Sequence, residues 1–380
     1  MNGAEGKRFS IAVLAGDGIG PEVISAARRA ADAAASRDGA SLEWVEYPFG
    51  ASFYLRTNEI LPDSALKEMS AHSAMMLGAI GDPAVKPGIL ERGILLKLRF
   101  EFDQYVNLRP AASLPNVPTP VPLNGRRIDS VVVRENTEDL YIGLGDMSDA
   151  GCVDAPMDLK RAGYSATGRL SLRISPEMPF AAQVALNTKF AVERITRYAC
   201  ETARKRGEKV ITVVSKSNAV PALYGFFEDT ARETANREFP DIECKVANVD
   251  ALCYHLVRSP AMYGVLLCPN LFGDIVSDLQ AGLAGGMGTA AGGNIGDGLS
   301  MFEPVHGSAP DIAGTGRANP IAAVLSSVLM LRHIGLDKSA ERVERAVSRY
   351  LESSRRQELP IEFGGDFTCG QIEEAIIKNI

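Results

Sequence analysis

Short apolar runs bounded by Gly, Asp or Pro alternate along this chain with stretches whose apolar residues recur at helical spacing. Strand-like runs fall at Ile11 to Ala15, Ala74 to Ala79, Ser130 to Val133, Val210 to Val214, Ile242 to Val246 and Val265 to Cys268, and Glu22 to Ser36 carries a helical pattern. Near-continuous apolar strands separated by helices predict an α/β fold around a largely parallel sheet.

Three regions interrupt that rhythm. Ala111 to Gly125 is proline-rich and predicts an exposed crossing between subdomains. Asp146 to Pro179 has few periodic apolar residues and fits an arm or lid, or equally a plain surface insertion, better than core. Ala281 to Gly298 holds eight glycines, so its backbone either turns tightly or closely approaches a ligand or another segment.

Composition narrows the class. The 380 residues are 46% apolar, enough for a sizeable core and two domains or one large one. With 47 acidic against 40 basic residues the net charge is -7, which argues against a nucleic-acid binder. The longest apolar stretch, Ala322 to Leu331, is interrupted by Ser326 and Ser327 and falls short of a membrane span. Met1 to Ser10 is polar and leads into a strand, unlike a secretory signal, so a cytoplasmic protein is expected. Six cysteines without a CxxC pair and four histidines without ligand spacing predict reduced structural thiols, and any metal would be a hard cation held by carboxylates.

The first strand runs into Gly16-Asp17-Gly18-Ile19-Gly20-Pro21. A dinucleotide fingerprint requires GxGxxG, and here the third glycine comes one residue early, so the fold is not expected to be a classical Rossmann fold. The motif alone fits a structural turn as well as a cofactor loop.

Acidic residues offer a candidate metal site. Asp274 and Asp278 stand i, i+4 where a helix follows a buried strand, and so share one helical face. Two such carboxylates repel unless they face solvent or hold a cation between them; an acidic first turn set by the helix dipole is the plainer alternative. Asp250, after the run Ile242 to Val246, supplies a third carboxylate, and three acids with substrate oxygens and water complete the shell that Mg²⁺ or Mn²⁺ prefers.

Arg99 and Arg109 bracket one short stretch, and Arg134 ends the strand-like run Ser130 to Val133. Three converging guanidiniums would suit a dicarboxylate, whereas each alone could equally serve a surface ion pair.

Together these motifs resemble the β-decarboxylating dehydrogenases, the family of isopropylmalate, isocitrate, homoisocitrate, malate and tartrate enzymes. The likeness covers nearly the whole chain and is carried by Gly16 to Glu22, Leu98-Arg99 through Leu108-Arg109-Pro110, Arg134-Glu135-Asn136-Thr137-Glu138, Lys216-Ser217-Asn218, Asn270 to Asp274 with Asp278, and Glu303 to Gly314. It implies the isocitrate/isopropylmalate dehydrogenase-like α/β fold with two subdomains. Residues 1–104 with 285–380 would bind NAD, and 105–284 would carry metal, substrate and dimer contacts, with an arm at about 146–179.

The resemblance also implies roles. Arg99, Arg109 and Arg134 would hold the carboxylates of a 2-hydroxy diacid, and Asp274 and Asp278 would bind Mg²⁺ or Mn²⁺ with Asp250 of a second subunit. Tyr141 and Lys216, the latter again from the partner, would serve as acid and base. NAD would be held by His306, Gly307, Ser308, Ala309, Asp311, Ile312, Asn319 and Asn218; the Asp311 carboxylate suits ribose hydroxyls and would repel a 2'-phosphate. The unit implied is a homodimer with shared active sites, with a tetramer left open, and neither nucleic acid nor membrane is an expected partner.

Substrate choice in this family falls on the helix before the first arginine. Leu95 and Leu96 offer an apolar wall there, favouring the isopropyl group of 3-isopropylmalate over a charged substituent. Arg92 stands where many isopropylmalate enzymes carry glutamate, and Phe102 to Arg109 also resembles tartrate and D-malate dehydrogenases. The segment between Tyr141 and Thr188 is longer than is usual in the family. A tartrate, D-malate or other 3-substituted malate dehydrogenase is therefore an alternative. Further alternatives are a metal-dependent lyase working without NAD and a non-catalytic metabolite-binding relative.

Overall fold

The structure, a computed structural model, describes residues 6–380, so the first five positions of the polar lead-in segment lie outside the described residues. In chain order the elements begin β1 (Arg8–Leu14), α1 (Gly20–Arg37), β2 (Ser41–Glu46), α2 (Ala51–Thr57), α3 (Asp63–Met69) and β3 (Ala74–Leu77). A π-helical turn (Glu91–Leu96) leads into α4 (Lys97–Glu101), followed by β4 (Val106–Ala112), β5 (Asp129–Glu135), β6 (Gly145–Ser148), β7 (Cys152–Arg161), β8 (Tyr164–Arg173) and β9 (Phe180–Gln183). Next come α5 (Lys189–Arg206), β10 (Val210–Ser215), α6 (Phe226–Glu238), β11 (Glu243–Asn248), α7 (Val249–Arg258), β12 (Val265–Cys268) and α8 (Asn270–Ala284). The chain ends with β13 (Ala291–Ile295), β14 (Met301–Pro304), α9 (Ile321–His333), α10 (Asp337–Ser353) and α11 (Cys369–Lys378).

These elements pack as two compact units. The first comprises the chain through Asp129 together with Val257–Ala261 and Asp278–Ile380. Its strands run in the order β4-β13-β14-β3-β1-β2. β1 is parallel to β2 and β3, and β14 to β3, whereas β13 is antiparallel to both β14 and β4. The buried run Ile11 to Leu14 fits the interior place of β1 between β3 and β2, since a strand covered on both faces is apolar throughout.

Helices cover both faces of that sheet. On one, the alanines Ala27, Ala30, Ala31 and Ala34 of α1 let it lie close to α9, and Val343 and Val347 of α10 and Ile372 and Ile376 of α11 complete the layer. The apolar stretch at Ala322 to Leu331 is thus a core helix, with Ser326 and Ser327 satisfied by the carbonyls of Ala322 and Val324 at 2.8 and 2.7 Å. No helix among the described residues is long and apolar enough to cross a membrane. On the other face Leu66, Met69, Leu90, Ile94 and Leu98 pack on Leu14, Met75 and Leu77, each such side chain contributing about 1.5–3 kcal/mol when fully buried.

The second unit comprises Ser130–Leu256 and Met262–Ser277. It holds the all-parallel order β11-β10-β12-β5, with Val131, Val132, Val133, Ile211, Val213 and Leu266 buried. The segment expected to form an arm is built of two antiparallel pairs, β6 with β9 and a long hairpin of β7 with β8 in register from Cys152↔Arg173 to Arg161↔Tyr164.

Candidate active site

Within the second unit, β5 delivers Arg134 to the start of α8. Arg134 is 1% exposed, and its Nε donates to the carbonyl and Oδ1 of Asn270 at 2.9 and 3.0 Å. Its Nη1 donates to Asp274 Oδ1 at 2.6 Å, and its guanidinium stacks 5.2 Å from the ring of Tyr141. Tyr141 in turn donates to Asp274 Oδ2 at 2.8 Å. This crowding requires Gly273, because a Cβ there would stand 2.5 Å from Arg134 Cγ.

The loop between Arg134 and Tyr141 is unusual in composition for its burial. Arg134, Glu135, Asn136, Thr137, Glu138 and Asp139 are six consecutive polar residues, none more than 2% exposed. Buried polar groups need partners. Asp139 accepts from the Leu271 amide at 2.9 Å at the N-terminus of α8, where a carboxylate is favoured. Glu135 accepts from the Thr137 and Glu138 amides at 3.0 and 2.8 Å. Burial, then repulsion from Glu138, nonetheless pushes its carboxyl up to about 7.

In the first unit, Arg109 donates to Asp278 at 3.1 Å, and Arg99, 4% exposed, to Glu303 at 3.2 Å. Glu303 also accepts from Asn294 at 2.7 Å, and Asn294 from Asn107 at 2.9 Å. Leu95, Arg99, Asn107, Arg109, Glu91 and Glu303 line a cavity of about 150 Å³. The side-chain oxygen Oδ1 of Asn107 is buried without a hydrogen-bond partner, as an acceptor for a ligand donor would be. Leu96 does not line this cavity.

The π-helical turn contributes Glu91 and Leu95 to that cavity. Glu91, the first residue of that turn, lines the cavity, while the Arg92 guanidinium lies over Gly88, 3.0 Å from where a Cβ would stand. Glu91 also accepts from the Gly88 amide at 2.9 Å.

Lys216 and Asp250 pair with each other at 2.7 Å in the second unit, and Lys216 holds the Asp250 carboxyl below its ordinary value. Asn218, two residues on, is exposed. Asp274 and Asp278 lie a turn apart on α8, but among the described residues of one chain no group of three His, Cys, Asp or Glu side chains gathers to hold a metal ion.

A second cavity in the first unit, about 280 Å³, is lined by Ile19, His306, Ile312, Arg317, Asn319 and Glu362, among others. Asn319 donates to Glu362 at 2.9 Å and accepts from the Ile321 amide at 3.1 Å. His306 lines both cavities; its Nδ1 donates to the Gly307 carbonyl at 3.0 Å, leaving Nε2 a buried acceptor without partner. Burial lowers its pKa and keeps the ring neutral. Gly307 lines the smaller cavity, Ala309 has a left-handed φ of 40°, and Asp311 is exposed beside Ile312.

The early glycine loop props this region. Asp17 accepts from the Ala51 and Gly81 amides at 2.8 and 3.0 Å, and the Ile19 amide donates to the Ser308 carbonyl at 2.9 Å. Gly18 lies so close to Ser308 that a Cβ would stand 2.0 Å from its oxygen. Sequence reasoning passed over Asn107, Glu91, Asn294 and Glu303 as site residues. The glycine-flanked Asn294 and the Asn immediately before Leu108-Arg109-Pro110 were the signals available, but pairing across 187 residues is invisible in a linear pattern.

Known proteins agree with this architecture. A profile for isocitrate/isopropylmalate dehydrogenase matches residues 10–376. A 3-isopropylmalate dehydrogenase of Clavibacter sepedonicus is 44% identical over 349 residues, covering 90% of this chain and 91% of that protein. The Thermobifida fusca enzyme of the same name is 40% identical over 378 residues, covering 98% of each chain. The crystal structure of isocitrate dehydrogenase from Methylococcus capsulatus superposes with a TM-score of 0.82 at 34% identity, covering 98% of this chain and 99% of that one. This chain therefore belongs to the isocitrate/isopropylmalate dehydrogenase family, and is a decarboxylating dehydrogenase.

Proposed function

We propose that the chain catalyses NAD-dependent oxidative decarboxylation of 3-isopropylmalate to 2-oxoisocaproate, the leucine-biosynthetic reaction, as a cytoplasmic enzyme. The observation carrying the substrate choice is the cavity holding Arg99 and Arg109. Its wall includes Leu95, Glu91 and Glu303, which favours an alkyl group and repels a third carboxylate. The six free thiols suit a reducing compartment.

Arg99, Arg109 and Arg134 grip the two carboxylates of the diacid. Lys216 takes the proton from the substrate hydroxyl, and Tyr141, oriented by Asp274, returns one to carbon after carbon dioxide leaves. Asp274 and Asp278, with Asp250 of a second copy, would hold Mg²⁺ or Mn²⁺; their all-oxygen donor set fits a hard cation. When bound, the metal withdraws charge from the hydroxyl oxygen and the nicotinamide accepts hydride. His306, Gly307, Ser308, Ala309, Asp311, Ile312, Asn319 and Asn218 would hold NAD. The apolar Ile19 and Ile312 and the unpartnered His306 nitrogen fit an adenosine.

A homodimer with shared sites is supported by Tyr254, Met262 and Ile275 of the second unit, exposed by 60, 56 and 55%. Exposed apolar side chains that gather into one patch mark an interaction face, and α7 carries both Tyr254 and Asp250. The test is NADH formation with Mn²⁺ or Mg²⁺ across 3-isopropylmalate, D-malate, tartrate, isocitrate and homoisocitrate. We expect 3-isopropylmalate to give the highest kcat/KM. Preference for isocitrate, or no NADH with any diacid, would overturn the reading.

A further inference from the structure

The long hairpin, with ten paired positions against the four of β6 with β9, carries the ion pair of Asp154 with Arg169 on its exposed face. Its tip is nevertheless tied down. Arg161 donates through Nε and Nη2 to the Thr137 carbonyl at 3.2 and 2.9 Å. The Tyr164 hydroxyl donates to Glu138, whose carboxylate also accepts from the Thr188 amide and hydroxyl, both at 2.7 Å. Gly163 lies flush on the Phe190 ring, where a Cβ would stand 2.2 Å away, and Tyr164 meets that ring edge-on at 6.1 Å.

What this tip covers is the six-residue polar run that joins Arg134 to Tyr141. The path from tip to guanidinium is short. Tyr164 holds the Glu138 side chain, the Glu138 carbonyl accepts from Asn270 Nδ2 at 3.1 Å, and Asn270 accepts from Arg134 Nε. A buried carboxylate such as Glu138 needs its donors, and charge-assisted hydrogen bonds are the strong ones.

We propose that the hairpin tip, through Tyr164 and Arg161, is a positioning element that fixes the Arg134–Tyr141 loop and thereby the geometry of the substrate site. Neither residue touches substrate; both act through the loop. The inference rests on the reading of Arg134 and Tyr141 given above, so its test separates the two. Removing the tip's bonds loosens the loop, and because Arg134 grips a carboxylate that is present before and during reaction, the loss falls on KM more than on kcat.

The experiment uses the full chain with Tyr164→Phe, Arg161→Met and the conservative Arg161→Lys, measuring amide hydrogen exchange over residues 134–142 and steady-state kinetics with 3-isopropylmalate, NAD and Mn²⁺. In Tyr164→Phe and Arg161→Met we expect exchange there about tenfold faster and KM raised roughly five- to tenfold with kcat within about threefold. Arg161→Lys recovers part of both. Unchanged exchange with unchanged KM overturns the proposal, as does faster exchange with unchanged KM while Arg134→Lys and Tyr141→Phe impair turnover. If Arg134→Lys and Tyr141→Phe are themselves silent while exchange rises, the substrate-site reading falls and the tether of the loop stands.

Discussion

Tyr141 donates to Asp274 at 2.8 Å, on the carboxylate whose other oxygen is held by Arg134 at 2.6 Å. One aspartate thus orients both a phenol and a guanidinium, and that shared anchor governs what each substitution around it should do.

Tyr141→Phe removes the proton donor and keeps the ring under Arg134. Turnover should fall by roughly 10²–10⁴-fold, the usual contribution of a positioned acid, with the midpoint of thermal unfolding little moved. Wild-type kcat in this variant would remove Tyr141 from the chemistry.

Asp274→Ala leaves the guanidinium of Arg134, 1% exposed, without its closest carboxylate. Arg134 keeps its bonds to Asn270 and the nearby charge of Asp139, so urea unfolding of the metal-free protein should register a loss of about 1–3 kcal/mol, the cost of one buried hydrogen-bonding group losing its partner. A change indistinguishable from zero would mean that water or Asn270 satisfies the arginine unaided.

Leu95→Ala should act on the alkyl part of the substrate alone. Lost apolar contact is worth roughly 10–200-fold in discrimination, so kcat/KM for 3-isopropylmalate should drop within that range and that for D-malate stay level. Equal losses for both diacids would place Leu95 outside the side-chain pocket.

Glu135 gives a pH signature. Its folded-state pKa is raised to about 7 by burial and by Glu138, above the ordinary 4.5, so the native state binds more protons than the unfolded one between those values. Stability from this group is fully present below pH 4.5 and lost as pH rises through about 7. Glu135→Gln adds an offset that does not vary with pH. The difference in melting temperature, variant minus wild type, should therefore climb from pH 4.5 to about 7 and level off above. A flat difference would show that Glu135 titrates in the ordinary range.

Lys216→Ala and Asp274→Ala should each be inactive as pure proteins. If the partner subunit supplies lysine to a site whose Asp274 is intact, refolding the two together restores part of the activity. No recovery in a mixture shown to contain heterodimers would confine each site to one chain.

Much of this was legible in the residues. The apolar runs at Ile11, Ala74, Val210 and Val265 became β1, β3, β10 and β12, because strands covered on both faces must be apolar throughout. The i, i+4 spacing of Asp274 and Asp278 was equally readable, since a helix fixes it locally. Two things were not. The antiparallel strand β13 lies in a glycine-rich run whose low side-chain content hides its periodicity, and its partners stand far off in sequence. The burial of Glu135 and Glu138 runs against the compositional expectation for a charged loop: Glu135 takes its donors locally, from Thr137 and the Glu138 amide, whereas Glu138 takes them from Tyr164 and Thr188, which a linear pattern does not bring near it.

The π-helical turn at Glu91–Leu96 bears on how knowledge can be transferred between relatives. A π-helical turn holds more residues than a turn of α-helix, and within it Glu91, not Arg92, borders the cavity. Selectivity changes borrowed from an enzyme with a regular helix at this place should therefore be indexed by three-dimensional superposition, because residue spacing miscounts the turn.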